Sequence, residues 1–117
     1  MDNQIEIILK MFELADTLFE GFDYVKSHIK EYESAIVIIN DIKNGISSIQ
    51  KSINEMSDEL PFNEIDDLTV KMIKLIDEEV TDNYGIELGD KIIKNILPIY
   101  KELCIEIERC LKPYVLC

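Results

Sequence analysis

Ala35-Ile36-Val37-Ile38-Ile39-Asn40-Asp41-Ile42-Lys43-Asn44-Gly45-Ile46-Ser47-Ser48-Ile49-Gln50-Lys51-Ser52-Ile53-Asn54-Glu55-Met56 is the stretch that decides the fold. Ala35, Ile39, Ile42, Ile46, Ile49, Ile53 and Met56 recur in alternating steps of four and three. That spacing places all of them on one face of an α-helix. Gly45 interrupts the helix at a cost of about 1 kcal/mol relative to Ala, and close packing of another helix would explain it. The helix is expected over 33–56, with Ser34 as its N-cap candidate.

The segment before it is read as a helix over 3–30. Its stripe is Ile5, Ile8, Phe12, Ala15, Phe19, Phe22 and Ile29. A second stripe, Met11, Leu14, Leu18 and Val25, lies beside the first, so the apolar surface is wider than one core face requires. Gly21 marks a break or a close helix approach. Tyr32 to Ser34 hold no Gly or Pro, so the first two helices could also run as one bent rod.

Beyond Met56, the stretch 57–63 reads as a loop. Pro61 breaks the helix and Asn63 can cap the next. That third helix is expected over 64–80, with Ile65, Leu68, Met72, Leu75 and Ile76 facing inward. Thr81 to Gly85 form a turn. The fourth helix runs over 86–112 with a seam of Ile93, Ile96, Tyr100, Leu103, Ile107 and Cys110, and Pro98 kinks or restarts it. Pro113 ends it, and Tyr114-Val115-Leu116 form an apolar tail that packs on the bundle. No stretch alternates with period two, so no strand is expected. Residues 1–117 are read as one domain: an all-α antiparallel bundle of four main helices.

The 117 residues suffice for a core that hides roughly 65% of the unfolded surface. Hydrophobic residues make up 47% and charged residues 31%, a globular composition. With 24 acids against 12 bases the net charge is −12. Such a surface repels phosphate backbones and anionic membranes, so neither nucleic acid nor membrane is an expected partner. Met1-Asp2-Asn3-Gln4 carries no basic stretch of a secretory signal, and no apolar run reaches the ~18 residues of a spanning helix. The cytoplasm is the expected location.

Residues for chemistry are sparse. His28 is the single histidine, no G-x-S-x-G surrounds a serine, and the four glycines are dispersed. A di-metal carboxylate bundle needs Glu-x-x-His twice, and Val25 stands three before His28. Cys104, Cys110 and Cys117 form no metal-ligand or disulfide spacing. Acids crowd two loops, at Glu55, Asp58, Glu59, Glu64, Asp66 and Asp67 and again at Asp77, Glu78, Glu79, Asp82, Glu87 and Asp90. Oxygens of this kind suit a hard cation, but an EF-hand with Gly85 sixth would begin at Val80, which is no ligand. No catalytic residue, no metal ligand and no cofactor is expected.

Asp41-Ile42-Lys43-Asn44-Gly45-Ile46-Ser47-Ser48-Ile49, Ile96-Leu97-Pro98-Ile99-Tyr100-Lys101 and Lys112-Pro113-Tyr114-Val115-Leu116 resemble a small all-helical family of unknown function from low-GC Gram-positive bacteria. The resemblance implies a helical fold and a bacterial cytoplasm, and brings no catalytic residues. Size and acidity are also similar to those of flagellar or secretion export chaperones, which hold a partner's helix.

The leading expectation is therefore a non-enzymatic interaction protein, an adaptor or export-chaperone-like bundle with an apolar groove rimmed by acids. Its partner would lay an amphipathic, preferably basic, helix against Met11, Leu14, Leu18 and Val25. A structural or regulatory homodimer using the same face is the second reading. A metal-binding bundle using the acidic loops is the third.

Overall fold

The computed structural model describes residues 2–28, 30, 32–56 and 63–114. Helix α1 spans Asp2–Ser27, α2 Tyr32–Met56, α3 Asn63–Asp82, α4 Ile86–Lys91 and α5 Leu97–Leu111. A π-helical turn over Ile92–Ile96 joins α4 to α5, and a 3-10 turn over Lys112–Tyr114 follows. Helices α4 and α5 with that π turn make the fourth rod of an all-α bundle. No strand occurs among the described residues. The expected loop 57–62, Ile29 and Val115 and Leu116 of the expected tail lie outside them, as does the side chain of the expected cap Asn63.

Side-chain pairs show how the rods run. Leu18 of α1 meets Gly45 of α2, and Ile42 meets Gly21. Lys43 of α2 pairs with Asp77 of α3. Arg109 of α5 reaches Glu64 of α3, and Tyr100 reaches Ala15 of α1. Between α1 and α2 one number rises as the other falls, so they run antiparallel, and the contacts of the other pairs fit the same up-and-down course. The fourth rod packs between α3 and α1 and closes a molecule 45 × 21 × 18 Å in extent.

Each rod buries one stripe. In α2 it is the expected set, from Ala35 to Met56. In α1 it is Ile8, Met11, Ala15, Leu18, Phe22 and Val25. This corrects the reading of the first helix. Met11, Leu18 and Val25, expected at a docking face, are 1%, 4% and 0% exposed and belong to the core. The physical reason is that α1 has two neighbours. Its α2 side carries Leu14 and Gly21, its α5 side carries Phe12 and Phe19, and the core stripe runs between them. The wide apolar face therefore serves two helix contacts.

In α3 the stripe is Ile65, Thr69, Met72 and Ile76, with Leu68 and Leu75 half-buried at its flanks. Thr69 is fully buried and donates its hydroxyl to the Asp66 carbonyl at 2.7 Å, which satisfies it locally.

The fourth rod buries Leu88, Ile92, Ile96, Tyr100, Leu103, Ile107 and Leu111. Ile93 and Cys110, expected in the seam, are half-buried instead. The π turn explains Ile93. The Leu97 N–H donates to the Ile92 carbonyl five residues back, and this wider turn absorbs one residue more than α-geometry would. Pro98 then stands in the first turn of α5, where a missing N–H costs little.

Gly45 has a packing role. A Cβ there would lie 2.5 Å from Leu18 Cδ2 and 3.1 Å from its Cγ and Cδ1. Alanine gains about 1 kcal/mol of helix propensity but overpacks a core that yields at about 1–3 kcal/mol. Gly45→Ala is expected to lower the melting temperature by several degrees, a net loss of about 1 kcal/mol. Gly21→Ala, whose Cβ would lie 3.1 Å from Ile42 Cγ1, is expected to lose less. Paired thermal melts check the order.

Candidate functional site

Between α1 and α5 lies a groove of about 330 Å³. Phe12, Ala15, Asp16 and Phe19 of α1 form one wall, and Cys104, Ile107, Glu108 and Lys112 form the other. Both walls follow from helical spacing, since residues three, four and seven apart share a face. Ala15 makes the groove concave because its small side chain lies between two phenylalanines. Phe12, Phe19 and Cys104 are half-buried, while Asp16, Glu108 and Lys112 stand exposed at the rim.

Beneath the groove sits Tyr100, fully buried. Its hydroxyl donates to the Ala15 carbonyl at 2.6 Å. Its ring meets Phe19 edge-on at 4.9 Å and 75°, and Phe22 at 5.0 Å and 38°. These contacts fix the distance between α1 and α5 and hold Phe19 in place. Burial pushes the Tyr100 hydroxyl well above its ordinary range, helped by Cys104 and Asp16. Burial likewise pushes the Cys104 thiol up to about 11, with Asp16 and Glu108 adding to the effect against a hydrogen bond with Tyr100. At neutral pH that thiol is protonated and a poor nucleophile.

His28 is elsewhere. It follows α1, stacks on Tyr24 at 3.9 Å, and its Nδ1 lies 3.0 Å from the Tyr24 carbonyl. The ring closes the end of the helix, about 13 Å along its axis from Phe19. No histidine therefore stands beside Cys104, whose charged neighbours in the groove are the carboxylates Asp16 and Glu108.

Other concavities mix apolar and charged side chains. A hollow of about 540 Å³ on α2 and α3 mixes Val70 and Ile73 with Lys74, Asp77 and Glu78. Between α3 and α5, Glu64, Asp67, Glu102 and Glu106 line a cleft of about 260 Å³. Arg109 donates from Nη2 to Glu106 at 2.6 Å and holds that carboxyl below its usual range. Among the described residues no three His, Cys, Asp or Glu side chains are arranged to hold a metal ion. Asp58 and Glu59 of the first acidic loop lie outside those residues.

Of the four docking candidates, Leu14 alone retains partial exposure, and it faces α2 beside Ile38 and Ile42. Met11, Leu18 and Val25 are in the core. The structure puts Phe12 and Phe19, expected in the core, at the open groove. A signal for this lay in the sequence: Asp16 and Asp23 flank that side of the helix, and acids mark a face that meets water.

Residues 6–106 match the model of a domain of unknown function, DUF8042, and the chain belongs to that family. No curated protein and no solved structure matches the chain. Among the described residues no helix is long and apolar enough to cross a membrane.

Proposed function

We propose that this chain is a non-enzymatic protein-interaction module, an adaptor or export-chaperone-like bundle that takes a helix of another protein into the α1–α5 groove. One observation carries the reading: Phe12 and Phe19 remain half-exposed in a concave groove. Their neighbours on α1, Met11, Ala15 and Leu18, are buried. Aromatic anchors in a groove with a polar rim are the usual makings of a helix-docking site. A bacterial cytoplasm, the setting that the family resemblance implies, completes the proposal. The homodimer reading draws on exposed Ile5 and Leu9, at 39% and 49%, which continue the groove-side stripe of α1. It has to overcome repulsion between two chains of charge −12.

The test is a tagged pull-down from native lysate with the Phe12→Ser/Phe19→Ser and Leu14→Ser variants. The double variant is expected to lose stability, because Phe19 packs on Tyr100, yet at a temperature where its helical circular dichroism is intact to lose a stoichiometric partner that wild type and Leu14→Ser retain. Retention of that partner by the double variant would sink the groove reading.

A further inference from the structure

Resting on that reading, we infer that the groove is a vacant knobs-into-holes position, built to take an apolar side chain of a basic amphipathic helix. Phe12, Ala15, Asp16 and Phe19 stand at positions i, i+3, i+4 and i+7 of α1. Four residues so spaced form the hole that receives one knob of a facing helix. Inside the bundle such holes are filled by the neighbouring rods. This one opens outward, and its small member, Ala15, sits between the two aromatic rings. Cys104 and Ile107 of α5 supply a second apolar wall, so the incoming helix would lie along both α1 and α5.

Charge selects the occupant. Asp16 borders the hole on α1 and Glu108 borders it on α5, both exposed. A helix with Lys or Arg flanking its apolar stripe places a cation against each rim. Lys112 is the single base in the lining and stands at the Phe12 end, where it suits the negative C-terminal end of the incoming helix. A second copy of this chain is the weaker occupant, since it brings the same acids and a charge of −12 to the rim.

The full chain is titrated with two synthetic helical peptides. Both carry leucines in alternating steps of three and four. One has lysine on the flanks and the other glutamate. The lysine peptide is expected to bind at least tenfold tighter, and its affinity to fall at high salt. The Asp16→Lys/Glu108→Lys variant, altered only at exposed side chains, is expected to reverse the preference. Phe12→Ser/Phe19→Ser is expected to bind neither peptide. Equal affinity for the two peptides, no binding of either, or unchanged selectivity after charge reversal would overturn the inference. So would a solution mass of two chains that Phe12→Ser/Phe19→Ser reduces to one. If the pull-down partner still depends on Phe12 and Phe19 while the lysine peptide fails, the interaction reading stands and the basic-helix inference falls. If the partner does not depend on them, the interaction reading falls as well.

Discussion

Tyr100→Ala is expected to destabilise the bundle by about 3–5 kcal/mol, the range for removing a large buried aromatic. Total stability in a domain of this size is about 5–15 kcal/mol, so the variant should unfold at a markedly lower temperature and denaturant concentration than wild type. The side chain is fully buried and touches Phe19 and Phe22 while bonded to the Ala15 carbonyl. Its loss leaves a cavity where α1 and α5 meet. Tyr100→Phe keeps the ring and removes only the 2.6 Å hydrogen bond, at a cost of about 1 kcal/mol. Ala15 can still accept the helical bond from the Phe19 amide. The two variants therefore separate packing from hydrogen bonding in one denaturant series.

The same pair carries a pH signature. The folded-state pKa of Tyr100 lies well above its ordinary 10.0, because burial disfavours the phenolate. The stability linked to a raised pKa is complete below the unfolded value and is lost as pH rises toward the folded one. Above pH 10 wild type should lose about 1.4 kcal/mol per pH unit through this group. Cys104, raised from 9.0 to about 11, adds its own loss between those values in both proteins. Tyr100→Phe lacks the phenol, so its deficit of about 1 kcal/mol at neutral pH should close by about pH 11. Parallel stability curves through that range would show that the hydroxyl ionises as easily folded as unfolded.

How far this architecture can be read from the sequence differs between rods. In α2 the stripe is unambiguous because polar residues occupy most other positions, and all seven of its members are buried. In α1 two overlapping patterns share Ile8, Ala15 and Phe22. One continues through Phe12 and Phe19, the other through Met11 and Leu18. Periodicity cannot choose between them, because residues three and four away both adjoin a central residue on a helix. Packing decides. The fourth rod and α2 close around Met11 and Leu18 and leave Phe12 and Phe19 at the outer seam. The groove was hidden by the same ambiguity, and its second wall required knowing that α5 lies antiparallel to α1. Thr69 escaped notice because a threonine inside an apolar stripe reads as a flank until its bond to the Asp66 carbonyl is seen.

The fourth rod misled for a different reason, and that reason leads to the second large effect. Its buried residues Leu88, Ile92, Ile96 and Tyr100 are each four apart. Three such steps cover twelve residues, which drift about 120° round a regular α-helix. Tyr100 could not then share a face with Leu88. The π turn at Ile92–Ile96 removes the drift by holding one residue in excess. Deleting exposed Asn95 leaves buried positions in steps of four, three, four and three, the period of an uninterrupted helix. Pro98 would then fall inside regular α-geometry, where its ring meets the carbonyl one turn back at about 3 kcal/mol or more. The deletion combined with Pro98→Ala is therefore expected to fold, with helical content and melting temperature close to wild type. The deletion alone should lose about 3 kcal/mol. Deleting exposed Ser47 from α2 has no such reserve. It turns Ile49, Ile53 and Met56 about 100° away from the core. At roughly 1.5–3 kcal/mol for each side chain moved toward water, that loss approaches the whole stability of the domain. Thermal melts of the three variants give the comparison. If the Asn95 deletion with Pro98→Ala unfolds as readily as the Ser47 deletion, the π turn does not hold a spare residue, and the register of the fourth rod has another cause.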